Sequence, residues 1–346
     1  MTDFLTDFSA FERDVHKLQG LVQLQTVLDN LEDVQTNVQK LSTRLKQIRE
    51  QGYVFHRSLE SEAQALQRQW SGLQGNLRTQ VQQQTQQLQP SMRVLESRLA
   101  QIAVQKNSEK PPQTLLASSK ALADTLEKKA EAAEKTISGM YDQLNQQIQS
   151  LMYRLGQVEW MQTQLSEASF PLMEGECGIA AVKAVWCADT KEQPDDPEGV
   201  LYLTDQRIIF EQKEEVATRK VLFITTAKKK VQEIEWALPL QTLESVQTRK
   251  LGMLKNEDYL DLRFVPPAER ASICLHIWQP AEQWQALLNQ AKAGELDSTR
   301  TQPAPTPPAR QLPSECPRCG ASLPQTVMRG QQSLKCDYCG NEVRIG

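Results

Sequence analysis

Aromatic residues are scarce in this chain, at 6% of 346 positions, and the hydrophobic fraction is only 39%. One large globule of this length needs more apolar side chains, so the composition favours an elongated protein of two or three domains. No run of about 18 apolar residues occurs, which excludes a membrane-spanning helix. The most apolar stretch, CGIAAVKAVWC, is short and contains Lys183. The start, MTDFLTDFSAFERDV, lacks a basic region with an apolar block behind it, so no secretory signal is read there. A net charge of −4 offers no general affinity for nucleic acid. Gly-rich phosphate loops, His-Glu-x-x-His, Gly-x-Ser-x-Gly and paired carboxylates are all missing from the sequence. No catalytic residue is therefore assigned, and the chain is read as non-enzymatic and cytoplasmic.

What is present falls into four stretches. Residues 1–168 read as an all-α coiled-coil rod. Leu24, Leu31, Val38 and Leu45 form one seven-residue series, and Val27, Val34, Leu41 and Ile48 form the other. Together they make an a/d seam. Gln51-Gly52-Tyr53 interrupts it, and less regular stripes run through Leu59–Ile102 and Leu122–Leu165, with a kink expected at Pro90. KNSEKPPQ, residues 106–113, breaks the helix between two near-equal arms, 53–106 and 113–166, which predicts an antiparallel hairpin. Residues 4–51 either pack back as a third helix or pair with another chain, so self-association stays open. His16 and His56 stand without ligand-type neighbours and are read as solvated.

Residues 175–294 change period to short strands. Gly178–Trp186, Gly199–Thr204, Arg207–Gln212, Val221–Thr225, Val231–Ala237, Leu243–Arg249, Tyr259–Phe264 and Ile273–Ile277 are the candidates. A helix follows Pro280 and ends near Gly294, with Trp284, Leu287 and Leu288 on one face. This predicts a bent sheet or partial barrel closed by a C-terminal helix. GVLYLTDQRIIFEQ, residues 199–212, resembles the core hairpin of PH-like domains of the GRAM and bacterial PH type, and LPLQTLESV, residues 238–246, is similar to the segment that follows it. The resemblance implies an adaptor module that binds lipid headgroups, peptides or proteins. The first hairpin loop departs from the phosphoinositide-binding version: ADTKEQPDDPE, residues 188–198, has five acidic residues against one Lys.

A basic surplus lies further on, in residues 213–255. Lys213, Arg219, Lys220, Lys228, Lys229, Lys230, Arg249, Lys250 and Lys255 face five Glu there. Such a segment can touch an anionic membrane at about 1 kcal/mol per residue. Cys187 and Cys274 sit singly in strands and read as small apolar groups. His276 alternates to the face of Cys274, a weak pattern for a metal.

Residues 295–314 form a Pro-rich linker. Residues 315–346 follow with Cys316-Pro-Arg-Cys319-Gly320 and Cys336-Asp-Tyr-Cys339-Gly340. Each pair places two thiolates on one tight turn, and the Gly after it supplies the positive φ such a turn needs. The pattern resembles a zinc ribbon, which implies one structural Zn²⁺ held by Cys316, Cys319, Cys336 and Cys339. A redox pair would need a thioredoxin-like βαβ unit, and none is visible. The tail carries Arg318, Arg329, Lys335 and Arg344 against Glu315, Asp337 and Glu342. Four thiolates and a divalent cation add about −2, so the folded tail is near neutral and a poor footprint for nucleic acid. The expected function is a zinc-binding scaffold or adaptor for protein partners. The alternatives are a peripheral membrane protein docking through 213–255 and a nucleic-acid-associated factor using the ribbon.

Overall fold

The computed structural model describes residues 2–221, 224–303, 313–324, 327, 330, 331 and 333–345; for 2, 3, 215–221 and 224–229 it describes the backbone alone. The chain clusters into two compact units, Met1–Arg44 with Glu60–Tyr153, and Leu45–Leu59 with Arg154–Gly346.

The helical region contains α1 (Thr2–Val22), α2 (Gln25–Glu50), α3 (Leu59–Gln105), α4 (Gln113–Gly139) and α5 (Asp142–Ser166). Every residue of the two seven-residue series is buried. In the first unit the cross-helix bonds give the direction of each neighbour. Lys120 reaches Asp7 at 2.8 Å and Lys17 reaches Glu127 at 2.9 Å, so α1 runs parallel to α4. Gln19 bonds Glu96 and Gln23 bonds Gln89, so α1 is antiparallel to α3. Trp70 donates its Nε1–H to Gln35 at 2.6 Å, which sets α2 antiparallel to α3 as well. The N-terminal segment therefore folds back on its own chain. Helix α2, which carries the seam, is bonded to α3 through Gln35–Trp70 and to α5 through Arg44 and the Met152 carbonyl.

Two breaks escaped the heptad reading. Leu24 adopts φ +52°, ends α1 and is itself buried. Between α4 and α5 the chain turns at Met140-Tyr141. Met140, read as part of the stripe, is exposed, and Tyr141 takes its place in the core. α3 runs through Pro90 as one helix.

The second unit is built on a seven-stranded antiparallel sheet in the order β4-β3-β2-β1-β7-β6-β5. Its strands are β1 (Gly178–Cys187), β2 (Glu198–Thr204), β3 (Arg207–Val221), β4 (Ile224–Pro239), β5 (Leu243–Leu251), β6 (Glu257–Phe264) and β7 (Ser272–Ile277). Of the separate strand expected at Val221–Thr225, Val221 instead ends β3 and Ile224 and Thr225 begin β4, two long strands whose charged middle lacks the alternation that a sequence reading needs; residues 222 and 223 lie outside the described residues. Four residue pairs, Ala184↔Ile277 to Cys187↔Cys274, join the two halves of the sheet across β1 and β7. Helix α6 (Ala281–Lys292) packs on β5 and β6 and buries Trp284. The Trp284 Nε1–H donates to Gln279 at 2.6 Å, which satisfies the indole as its ring leaves water.

The stretch read as a linker from 295 begins otherwise. Glu295–Thr299 form a 3-10 turn with Leu296 buried. The Thr299 carbonyl accepts from the Arg57 amide at 2.7 Å, and the Thr301 amide donates to the Val54 carbonyl at 2.7 Å. Polar residues here are anchored by backbone pairing with a loop about 240 positions upstream, a contact composition cannot announce. Of the expected linker, residues 304–312 lie outside the described residues.

Candidate metal centre

The tail folds around two matching turns. The Cys316 amide donates to the Ala321 carbonyl and the Gly320 amide to the Cys316 carbonyl, both at 2.8 Å. The second turn repeats this: Cys336 N–H to Asn341 at 2.9 Å and Gly340 N–H to Cys336 at 2.8 Å. Gly320 and Gly340 sit at φ +71° and +70°, the left-handed conformation the sequence reading required after each pair. Strands β8 (Ser333–Lys335) and β9 (Glu342–Arg344) pair in the same module, and Glu315 bridges Ser322. Leu323, Leu334, Val343 and Ile345 form a small core with Cys316 and Cys336.

These turns bring all four predicted ligands together. The sulfurs of Cys316, Cys319, Cys336 and Cys339 lie within 4.8 Å of one another. Cys316 and Cys339 are 3.7 Å apart at Sγ, and Cys319 and Cys336 are 3.5 Å apart. A disulfide requires about 2.05 Å. Four sulfurs each about 2.3 Å from one tetrahedral ion are about 3.8 Å apart, so the set has the spacing of a four-thiolate cage. Its electrostatics point the same way. The Arg318 backbone N–H, with that of Cys319, brings the Cys316 thiol down to about 6. The Ala321 N–H favours a thiolate on Cys319, but the surrounding sulfurs of Cys339, Cys336 and Cys316 push that thiol up to about 12. Four thiolates at this spacing would need a cation among them, and this donor set fits a soft or borderline divalent ion.

The tail also meets the sheet. A Cβ on Gly330, at φ +88°, would stand 2.3 Å from the Gln206 carbonyl oxygen, so only glycine permits this approach. Arg329, expected beside it at the hairpin tip, lies outside the described residues.

The Gln206 turn is the centre of a buried clasp that sequence reasoning missed. Thr204 Oγ1 accepts the amides of Gln206 and Arg207 and donates to Glu176 at 2.7 Å. Arg207 makes two bonds to the Glu176 carboxylate, at 2.9 and 2.7 Å. Arg300 pairs with Asp205, which also accepts the Cys177 amide, and its guanidinium lies 4.5 Å from the Phe55 ring centre. Three segments distant in sequence thus converge on LTDQR, residues 203–207. In the resemblance those residues mark a hairpin; here they hold the unit together. The alternation of buried strand residues around a charged turn was the only signal available.

The basic stretch 213–255 is less free than its count suggests. Lys213 bonds Glu167 at 2.7 Å, Arg249 pairs with Asp261, and Lys250 meets Asp258 at 3.0 Å. Lys230 and Lys255 are exposed. Arg219, Lys220, Lys228 and Lys229 have side chains outside the described residues. Of the two histidines expected to be solvated, one differs. His16 is exposed beside Gln19, whereas His56 is half-buried against Tyr53. His276 pairs with Glu192 and stacks on Tyr259 at 4.8 Å.

No family model matches the chain, and no curated protein matches it. Solved structures do. The DH/PH domains of p115-RhoGEF align over 84% of this chain and 94% of theirs, at 13% identity and a TM-score of 0.22. The Slm1-PH domain in complex with inositol-4-phosphate covers 34% of this chain and 94% of its own, at 10% identity and 0.21. The hSac2 domain of human phosphoinositide phosphatase Sac2 covers 44% and 81%, at 17% and 0.23. At such scores these likenesses carry no argument about function. The sheet domain itself has seven antiparallel strands in two linked halves, with one C-terminal helix packed on β5 and β6.

Proposed function

We propose that the protein is a non-enzymatic, zinc-binding scaffold that presents a zinc ribbon and a PH-like surface to protein partners. The observation that carries this reading is the cage of four sulfurs within 4.8 Å. Cys316, Cys319, Cys336 and Cys339 would hold one Zn²⁺, and all four tetrahedral positions would then be sulfur. Such a site leaves no position for a substrate water, so its role is to fold the tail. The tail is short and its core small, which makes ligation a large part of its stability. Tyr338, 81% exposed on the second turn, is an aromatic anchor available to a partner. Native mass spectrometry of the full chain tests the metal. One zinc per chain, lost in Cys336→Ser, is the expected result; a zinc-free protein with a folded tail removes the reading.

A second reading is peripheral membrane association within 213–255. It is favoured by the β5–β6 loop, where Met253 and Leu254 are 100% and 83% exposed beside Lys255. Two apolar side chains at a loop tip suit the headgroup boundary of a bilayer. Sedimentation with anionic liposomes at low salt decides between the two. Binding that Met253→Ser/Leu254→Ser abolishes favours the membrane; no binding removes it.

A further inference from the structure

Cys187 and Cys274, which the sequence presents as two unrelated residues, are direct cross-strand partners. Cys187 is the last residue of β1, and the β1–β7 register sets it opposite Cys274. Directly opposed residues of antiparallel strands share a face, with Cα atoms about 4.5 or 5.5 Å apart according to the kind of pair. Both separations fall within the range of about 4.4 to 6.8 Å that a disulfide spans. The two cysteines are free thiols in this structure.

Their surroundings favour thiolate chemistry. Arg249 holds its guanidinium Nη2 at 3.3 Å from the Cys274 sulfur. Cys274 is half-exposed and Cys187 buried. The neighbouring Cys274 lowers the pKa of Cys187, and Cys187 together with burial raises that of Cys274. A cation on the half-exposed Cys274, with a second thiol directly opposite it, is the setting of a peroxide-sensitive cysteine with its resolving partner.

We propose that Cys187 and Cys274 form a redox switch, oxidised by hydrogen peroxide to a disulfide that staples the two halves of the sheet. The thiolate of the pair attacks one peroxide oxygen: an S–O bond forms, the O–O bond breaks, and the leaving hydroxide takes a proton to become water. The other sulfur then attacks the sulfenic sulfur: the S–S bond forms, the S–O bond breaks, and a second water leaves with the remaining proton. Two thiols are oxidised and one peroxide is reduced. The consequence follows from the topology. β1 and β7 are joined by four residue pairs, against seven between β1 and β2, so the new bond lies at the narrowest seam of the sheet. It also ties up the Cys274 sulfur that Arg249 contacts, and Arg249 is bonded as well to the Thr190 carbonyl at 2.8 Å in the β1–β2 loop.

The experiment treats the full zinc-loaded chain with hydrogen peroxide, alkylates the remaining thiols, and maps peptides by mass spectrometry. A peptide joining Cys187 to Cys274, lost on reduction, is expected, together with a raised thermal midpoint. That rise should vanish in Cys274→Ser while the tail cysteines react as before. If Cys187 and Cys274 are recovered separately alkylated, separately oxidised to sulfinic acid, or linked to other cysteines, the proposal is overturned. A linked peptide without a change in midpoint overturns the stapling role.

Discussion

Arg207 and Glu176 form a buried ion pair, Nη2 to Oε2 at 2.7 Å, with side chains 3% and 0% exposed. The pair ties the segment before β1 to the first residue of β3, and Thr204 and the Met173 amide complete the carboxylate's bonds. Burial of both charges makes the pair expensive to break from one side only.

Arg207→Met leaves Glu176 ionised without a cation and should cost about 3–5 kcal/mol. Urea unfolding measures it. Adding Glu176→Gln should recover part of the loss, because the uncompensated charge is then gone. A double variant as unstable as the single one would contradict this account.

Gly330→Val introduces a Cβ 2.3 Å from the Gln206 carbonyl and a branched side chain at φ +88°. The left-handed conformation alone costs about 1–2 kcal/mol. Limited proteolysis should cut the tail faster in this variant, with the sheet unit unchanged. Equal cleavage rates in variant and parent would show that the approach to Gln206 does not hold the tail.

Chelation at neutral pH should collapse the amide spectrum of residues 315–346 and leave the signals of β1–β7 in place. Among the described residues the tail core is six buried side chains, two of them candidate ligands, a small core for folding without a metal. A tail spectrum insensitive to a strong chelator would count against metal-dependent folding.

His56 has its pKa lowered from 6.5 by burial, with Arg154 and Arg49 adding repulsion. The neutral ring is the form the fold accepts. Its stability contribution is therefore complete above the ordinary value and lost as pH falls through the lower folded one. His56→Gln should flatten that acid limb of a stability–pH curve while changing stability little at pH 8. An unaltered limb would place the titration elsewhere.

Much of this protein was legible in one dimension because its signals are local or periodic. The seam from Leu24 to Ile48, the alternation at Tyr259–Phe264 and the helix after Pro280 each follow from spacing along the chain. The break at Met140-Tyr141 was hidden, since Tyr141 keeps the apolar stripe nearly in phase. Asp205, Arg207, Glu176 and Arg300 were hidden for another reason. Charged residues read as surface until their partners are known, and Arg300 lies 95 positions from Asp205.

The sequence by itself determined the centre that depends on spacing. Two Cys-x-x-Cys-Gly turns dictate how four sulfurs face inward, because the ligand geometry is set within each turn and needs only one closure between them. It likewise determined the seam of α2, the helix after Pro280 and the alternation at Tyr259–Phe264. Only the tertiary structure decided that α1 and α2 fold back onto their own chain, that LTDQR becomes a buried clasp, and that Cys187 meets Cys274. Those relationships depend on which surfaces come together, and pairing over long separations is selected by the packing of the whole unit rather than by any local preference.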